Sequence, residues 1–503
     1  MGRIRAGLVL VGLLAAAPAA HGLHRDTGPA ARITHGAGGT IPRTRGWRTW
    51  LPFTSTDDLT GIGSSGRQAF VFDLWTYDCV MKPLGRVLAG CPPVSRPWVV
   101  QVTAGGGAPD NPTVNGRGTV VAFDADGVYA GGIGPAAPRR QVFLLHRPSG
   151  ALVRVTNAAD GDSVRPSLDD AGTTLVFEST AALAGGPGGV SQVFVYDVGT
   201  GVLERLTSGA GPSTAAMLDK TGSRVAFAST AALVGDGHDT GISQVFWYER
   251  NAAVLHQMTS GNASSRHPYI GVVKPASPLR RLLGLPRMVG GRAIVFESEA
   301  TDLPGTRGAP GPQIYYGPIT QGDVPVLYQL TPPPVPGCTP SAAAGATDPA
   351  IEPVGRRVLF TSTGDLLCNG TTGRRLFAFG MSGRPVLRQL TASGDVEQPA
   401  AALGGWFVAL SSNADLSGTG TCGPQLHVLN YFEGQWRAAT APGEIPMEPS
   451  PGDPASSCGD LDACTTDRCV AGTCVHSPIA GCTGALGIRT RAEAAPAARP
   501  SPP

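Results

Sequence analysis

Residues Arg165 to Gly211 read RPSLDDAGTTLVFESTAALAGGPGGVSQVFVYDVGTGVLERLTSGAG, and the next stretch nearly repeats them. SRVAFAST at Ser223–Thr230 answers TTLVFEST, and SQVFWY at Ser243–Tyr248 answers SQVFVY. Phe177 and Phe227 stand 50 residues apart, Gln192 and Gln244 52. Each period holds four runs rich in Val, Phe, Tyr and Leu, separated by Gly- and Asp-bearing turns. Runs of that kind are short β-strands. A period near fifty with four strands predicts a blade of a radial repeat fold.

Three markers carry the register outward. A second-strand Phe recurs at Phe53, Phe123, Phe177, Phe227, Phe296, Phe360 and Phe407, usually followed by Ser and then Leu. A third strand opens at Gln68, Gln141, Gln192, Gln244, Gln313, Arg375 and Gln425. The fourth strand ends at Thr103, Thr156, Thr207, Thr259, Thr331, Thr391 and Thr440. Each marker gives seven units, so the expectation is an all-β, seven-bladed β-propeller over residues 31–440. An eighth copy of the fourth-strand motif, Arg32-Ile33-Thr34-His35-Gly36-Ala37-Gly38, matches Arg205 to Gly211. Pairing of this segment into the last blade closes the ring and removes two exposed strand edges.

Composition agrees. The chain has 70 Gly and 45 Pro in 503 residues and only 15% charged side chains, a turn-rich, helix-poor balance. Hydrophobic content of 42% supplies a core. A net charge of +2 gives no field to gather nucleic acid or an acidic membrane. The N-terminus, MGRIRAGLVLVGLLAAAPAAHG, has a basic start and a short apolar run before small residues, the pattern of a signal peptide over residues 1–22. The run is too short to span a bilayer, and no later segment is long enough. A secreted, periplasmic or cell-surface monomer is expected.

Export makes disulfides the default state of the ten cysteines. Cys79 and Cys91 share one insertion and are expected to pair. Cys338, Cys368 and Cys422 are scattered through later repeats, and Cys458, Cys464, Cys469, Cys474 and Cys482 crowd the C-terminus. Each group is odd, and the spacing does not fix the connectivity. Residues 441–457 read as a Pro-rich linker, 458–482 as a small disulfide-held module and 483–503 as a disordered tail.

The repeats resemble the TolB-type propeller repeat, a WD-like family of exported bacterial proteins. Pro166-Ser167-Leu168-Asp169-Asp170-Ala171-Gly172, Gln192-Val193-Phe194 and Leu206-Thr207 carry the likeness. The Asp-Gly turn is eroded in most blades, and no α/β domain of the TolB kind precedes the ring, so the role of TolB in the Tol–Pal system is not implied. Cys464-Thr465-Thr466-Asp467-Arg468-Cys469 resembles the Cys-Thr-x-Asp-x-Cys repeat of extracellular matrix proteins, which implies a surface setting.

Chemistry is sparse. Gly61 to Gly66 fits a dinucleotide fingerprint by letter but joins two strands and opens no helix. Asp236, His238 and Asp239 form a weak Ca²⁺ candidate loop, and otherwise no cofactor is expected. A zinc reading of the terminal cysteines lacks close Cys pairs. The insertion at Val272–Val289 is basic and apolar, either a partner helix or a blade-edge loop. The innermost strands read VRPSL, STAAM, RHPYI, DPAIE and EQPAA, which makes Arg165, Arg266, His267, Asp348, Glu352 and Glu397 the candidates for a site at the channel mouth. Two readings stand. One is a non-catalytic binding or scaffold protein with a protein or glycan partner. The other is a propeller enzyme, a lyase or glycoside hydrolase, with its site at that mouth.

Overall fold

The computed structural model describes residues 30–32, 39–40, 465–470, 473–478 and 49–430, the last apart from 64–65, 77–97, 106, 130–138, 235–240, 274–290, 309–310, 320–325, 333–344, 354, 371–372, 382–386, 392–394, 403–406 and 414–424. Seven antiparallel four-stranded sheets stand in a ring. Blade 3 shows the plan: Ser163–Leu168, Thr174–Ser179, Gln192–Asp197 and Leu203–Arg205, hydrogen-bonded in that order. The first strands of blades 2 to 7 lie side by side around the axis, and each sheet packs its inner strands on the next.

The sequence markers have physical causes. The second-strand Phe stacks on the third-strand aromatic of the same blade, as in Phe177–Phe194 and Phe227–Phe246, both 5.7 Å between centroids. Both rings of each pair are buried, which stabilises a blade by about 1.5–3 kcal/mol per ring. The third-strand Gln and fourth-strand Thr form one relay. Thr207 Oγ1 donates to Gln192 Oε1 at 2.7 Å and accepts the Val193 N–H at 2.9 Å, while Gln192 Nε2 donates to Gly209 O. Blade 4 repeats it with Thr259, Gln244 and Gly261. The Ser after the Phe is equally structural. Ser179 Oγ accepts the Ala181 N–H and meets Ser163 Oγ on the first strand.

One marker was misplaced. Phe407 pairs with Asn430, and the position that faces the third-strand centre in blade 7 is Leu410, opposite His427. Phe407 lies five residues before Ser412, whereas every true marker lies two before its Ser or the residue in its place. The ring closes through the N-terminus: Ala30–Arg32 pairs with Gln425–Asn430 as the fourth strand of blade 7. Arg32 faces His427 as Arg205 faces Phe194, the register that the repeated motif predicts. Leu51, Phe53 and Phe72 of blade 1 pack with Phe407, Leu426 and Val428 across the same seam.

A two-stranded hairpin, Thr465–Val470 with Thr473–Pro478, places Cys469 opposite Cys474. Cys368 is disulfide-bonded. The leader, the linker, the tail, Thr440, the 236–239 loop, the core of the 272–289 insertion and the other seven cysteines lie outside the described residues.

Candidate functional site at the bulge end of the channel

Six first strands carry the same irregularity. In each, two residues oppose the single second-strand marker position, which is a β-bulge. The first of the two takes a left-handed backbone: Asn111, Arg165, Ala215, His267, Asp348 and Gln398, with φ between 47° and 55°. None is glycine, and such a conformation costs of order 1–3 kcal/mol. In five of the six the next residue is Pro, tolerated because a bulge leaves it no ladder bond to lose. The bulge turns the first residue's side chain out of the alternation that an unbroken strand would impose.

Beside these bulges sit three buried carboxylates on second strands. Asp124 accepts Asn111 Nδ2 at 2.8 Å, Arg140 Nε at 2.6 Å and, across the seam, the Arg165 N–H at 3.2 Å. Glu178 binds Arg165 Nη1 at 3.0 Å and accepts the Ala216 N–H of blade 4 at 3.3 Å. Glu297 meets His267 Nδ1 at 2.9 Å and accepts the Asp348 N–H of blade 6 at 3.2 Å. Each acid thus holds a side chain of its own blade and the bulge backbone of the next. Burial pushes the Asp124 and Glu178 carboxyls above the ordinary carboxylate range, against the pull of Arg140 and Arg165.

The exposed partners are the basic ones. The Arg165 side chain is 59% exposed over a Glu178 that is 1% exposed. His267 is 44% exposed and Arg266 41%, both over Glu297 at 5%. Arg266 also pairs with Glu299. The mouth therefore offers guanidinium and imidazole heads fixed from below by buried acids, an arrangement that binds and orients a polar ligand. An imidazole held through Nδ1 by a buried carboxylate is also the arrangement of an oriented general base.

Of the residues singled out from the sequence, Arg165, Arg266, His267 and Asp348 lie at this end. Asp348 Oδ2 accepts from the Thr347 and Thr361 hydroxyls at 3.4 and 3.3 Å. Glu397 lies at the same end of blade 7, exposed, 3.8 Å from Arg374. Glu352 lies at the opposite end of its strand. It is buried, accepts the Arg356 N–H at 2.8 Å and binds Arg357 at 2.9 Å, which makes it a turn cap. Asp169 and Asp219 do the same in blades 3 and 4. Burial raises its carboxyl too. Asp124, Glu178, Glu297 and Arg140 were not singled out. The three acids shared a signal, an acid directly after the marker Phe, in Phe123-Asp124, Phe177-Glu178 and Phe296-Glu297. Among the described residues no group of three His, Cys, Asp or Glu is placed to hold a metal.

Fold and mouth together define the class, a seven-bladed propeller with a polar, ion-paired channel end. No protein-family model and no curated protein matches the chain. Solved structures share the fold. TolB from Acinetobacter baumannii is 14% identical, covers 78% of this chain and 79% of its own, and has a TM-score of 0.37. An oligogalacturonate lyase from Vibrio parahaemolyticus is 11% identical, with 81% and 96% covered and a TM-score of 0.47. A prolyl endopeptidase is 11% identical at a TM-score of 0.46, and this chain spans 50% of its length. The expectation of a non-catalytic protein is corrected here. Enzymes stand beside TolB among the propellers similar to this chain, so the ring is no ground for excluding catalysis. Among the described residues no helix is long and apolar enough to cross a membrane.

Proposed function

We propose that this chain is an exported ligand-binding propeller of the periplasm or cell surface. Its partner, a protein segment or a glycan, docks over the bulge end of the channel. The observation that carries this reading is the set of half-exposed Arg165, Arg266 and His267 heads, each anchored by a carboxylate that is almost fully buried. A peptide and glycan array probed with the full chain is expected to give hits that the double variant Arg165→Ala, His267→Ala loses. An array without hits, or hits that the double variant keeps, contradicts the reading.

A second reading rests on one pair. His267 Nδ1 stands 2.9 Å from the buried Glu297, so its imidazole is oriented for proton transfer at the same mouth. This supports a lyase or glycoside hydrolase activity. Turnover of an acidic polysaccharide that His267→Ala abolishes while leaving affinity within a few-fold favours it over binding alone.

A further inference from the structure

Each of the six bulged blades carries one pair at the channel mouth, the left-handed residue of its first strand and the second-strand residue directly after the marker position. Register makes the pairs Asn111 with Asp124, Arg165 with Glu178, Ala215 with Ala228, His267 with Glu297, Asp348 with Thr361 and Gln398 with Ser411. In five of them both side chains carry polar atoms, and in four the two are hydrogen-bonded to each other. Blade 4 has two methyl groups instead. Its left-handed backbone does not call for alanine, since Asn111 meets the same conformation in blade 2 at φ 47° against 55° for Ala215. Ala215 is half-buried and Ala228 buried.

Two basic heads flank this apolar step. Blade 4 stands between blades 3 and 5, whose bulge residues are Arg165 and His267. Among the described residues the Arg165 side chain makes one hydrogen bond, from Nη1 to Glu178, which uses one of its five N–H donors. Its side chain is more than half exposed, so the fork can take a second carboxylate from outside. Glu178 also accepts the Ala216 N–H at 3.3 Å, so one buried acid fixes the guanidinium and the step against each other. His267, half-exposed over Glu297, bounds the other side.

Resting on the reading of the mouth as a binding face, we propose that blade 4 is its specificity-determining step and that the partner is an acidic peptide segment. An Asp or Glu carboxylate of the peptide pairs with Arg165, and the apolar side chain beside it covers Ala215. A guanidinium pairs a carboxylate with charge-assisted hydrogen bonds, and a methyl surface matches an apolar side chain at no cost in unpaired groups. A sugar fits this step worse, because its hydroxyls would leave water for two alanines whose side chains offer them no partner.

An array of peptides that varies two adjacent residues within a fixed Gly-Ser frame, probed with the full chain beside a glycan array, tests the proposal. Hits are expected to join Asp or Glu to Val, Leu or Ile. On the best hit, the variant Ala215→Arg, Ala228→Glu, which copies the blade 3 pair into blade 4, is expected to lose about tenfold in affinity with thermal unfolding unchanged. Ala215→Asn copies blade 2 and suits the left-handed backbone. It is expected to lose about fivefold, because the peptide's apolar side chain would strip water from the new amide, and it decides the matter if the first variant does not fold. Peptide hits that need Arg165 and His267 but no apolar neighbour, hits on glycans only, or parental affinity once the step is filled overturn this inference and leave the mouth as the binding face. Hits that survive the variant Arg165→Ala, His267→Ala, or no hits on either array, overturn both.

Discussion

Thr207 is buried, accepts one hydrogen bond and donates another, and that sets the consequence of losing it. Thr207→Val keeps the shape and leaves the Val193 N–H and the Gln192 carbonyl unpaired inside blade 3. Equilibrium denaturation is expected to show a loss of about 1–3 kcal/mol, and a neutral result would mean that the relay does not hold the blade. Glu178 gives a pH prediction. Its carboxyl is raised by burial, so the folded chain binds this proton more readily than the unfolded one. Its contribution is fully present below the ordinary Glu value, about 4.3, and is lost as pH rises through the raised folded value. Glu178→Gln removes that titration. The Tm of the parent minus that of the variant is therefore expected to fall as pH rises from about 4 to about 7, and a flat difference contradicts the sign. The candidate site was only half legible at this scale. A search along innermost strands found Arg165, His267 and Asp348, because they replace a repeat position. It passed over Asp124, Glu178 and Glu297, because they sit inside second strands whose pattern otherwise reads as plain core. Glu352 misled for the opposite reason. The spacing from Glu352 to Gly355 equals that from Asp169 to Gly172 and marks it as a turn residue.

At the scale of the element, the strands were read more securely than the side chains. In blades 3 and 4 the Gln and Thr markers fixed the third and fourth strands because a buried relay ties them at constant separation, whereas in blade 7 the fourth strand is Ala30–Arg32 and not a strand ending at Thr440. The aromatic marker slipped in blade 7, where Leu410 and His427 replace the stacked pair and only the distance to Ser412 keeps register. The bulges were invisible as such, although a Pro two or three residues into five first strands was their trace. The closing strand was legible because its motif copies blade 3. Removing residues 23–36 is expected to expose the free edge of Gln425–Asn430. The shortened chain should form concentration-dependent oligomers and lose about 1 °C in Tm for each kcal/mol of pairing removed. Sedimentation and calorimetry read both, and a monomer of parental stability would show that the ring does not depend on this strand.

The whole molecule is a ring with two unlike ends. A net charge of +2 over 503 residues leaves no long-range steering, so recognition falls to local geometry. At one end buried acids brace cationic heads on strained bulges, and at the other Asp169, Asp219 and Glu352 cap turns. Architecture could be read from repetition because every blade needs the same contacts. Function could not, because it resides where blades depart from the repeat. The measurement that bears most directly on the proposed binding face is an affinity comparison on the best ligand from a peptide and glycan array. The parent, the variant Arg165→Ala, His267→Ala and the variant Arg117→Ala, in an exposed turn at the other end of blade 2, would be titrated side by side. Loss of at least tenfold in the first variant, with parental affinity in the second, is the predicted result. Equal affinity in all three would place the partner elsewhere on the ring and contradict the account.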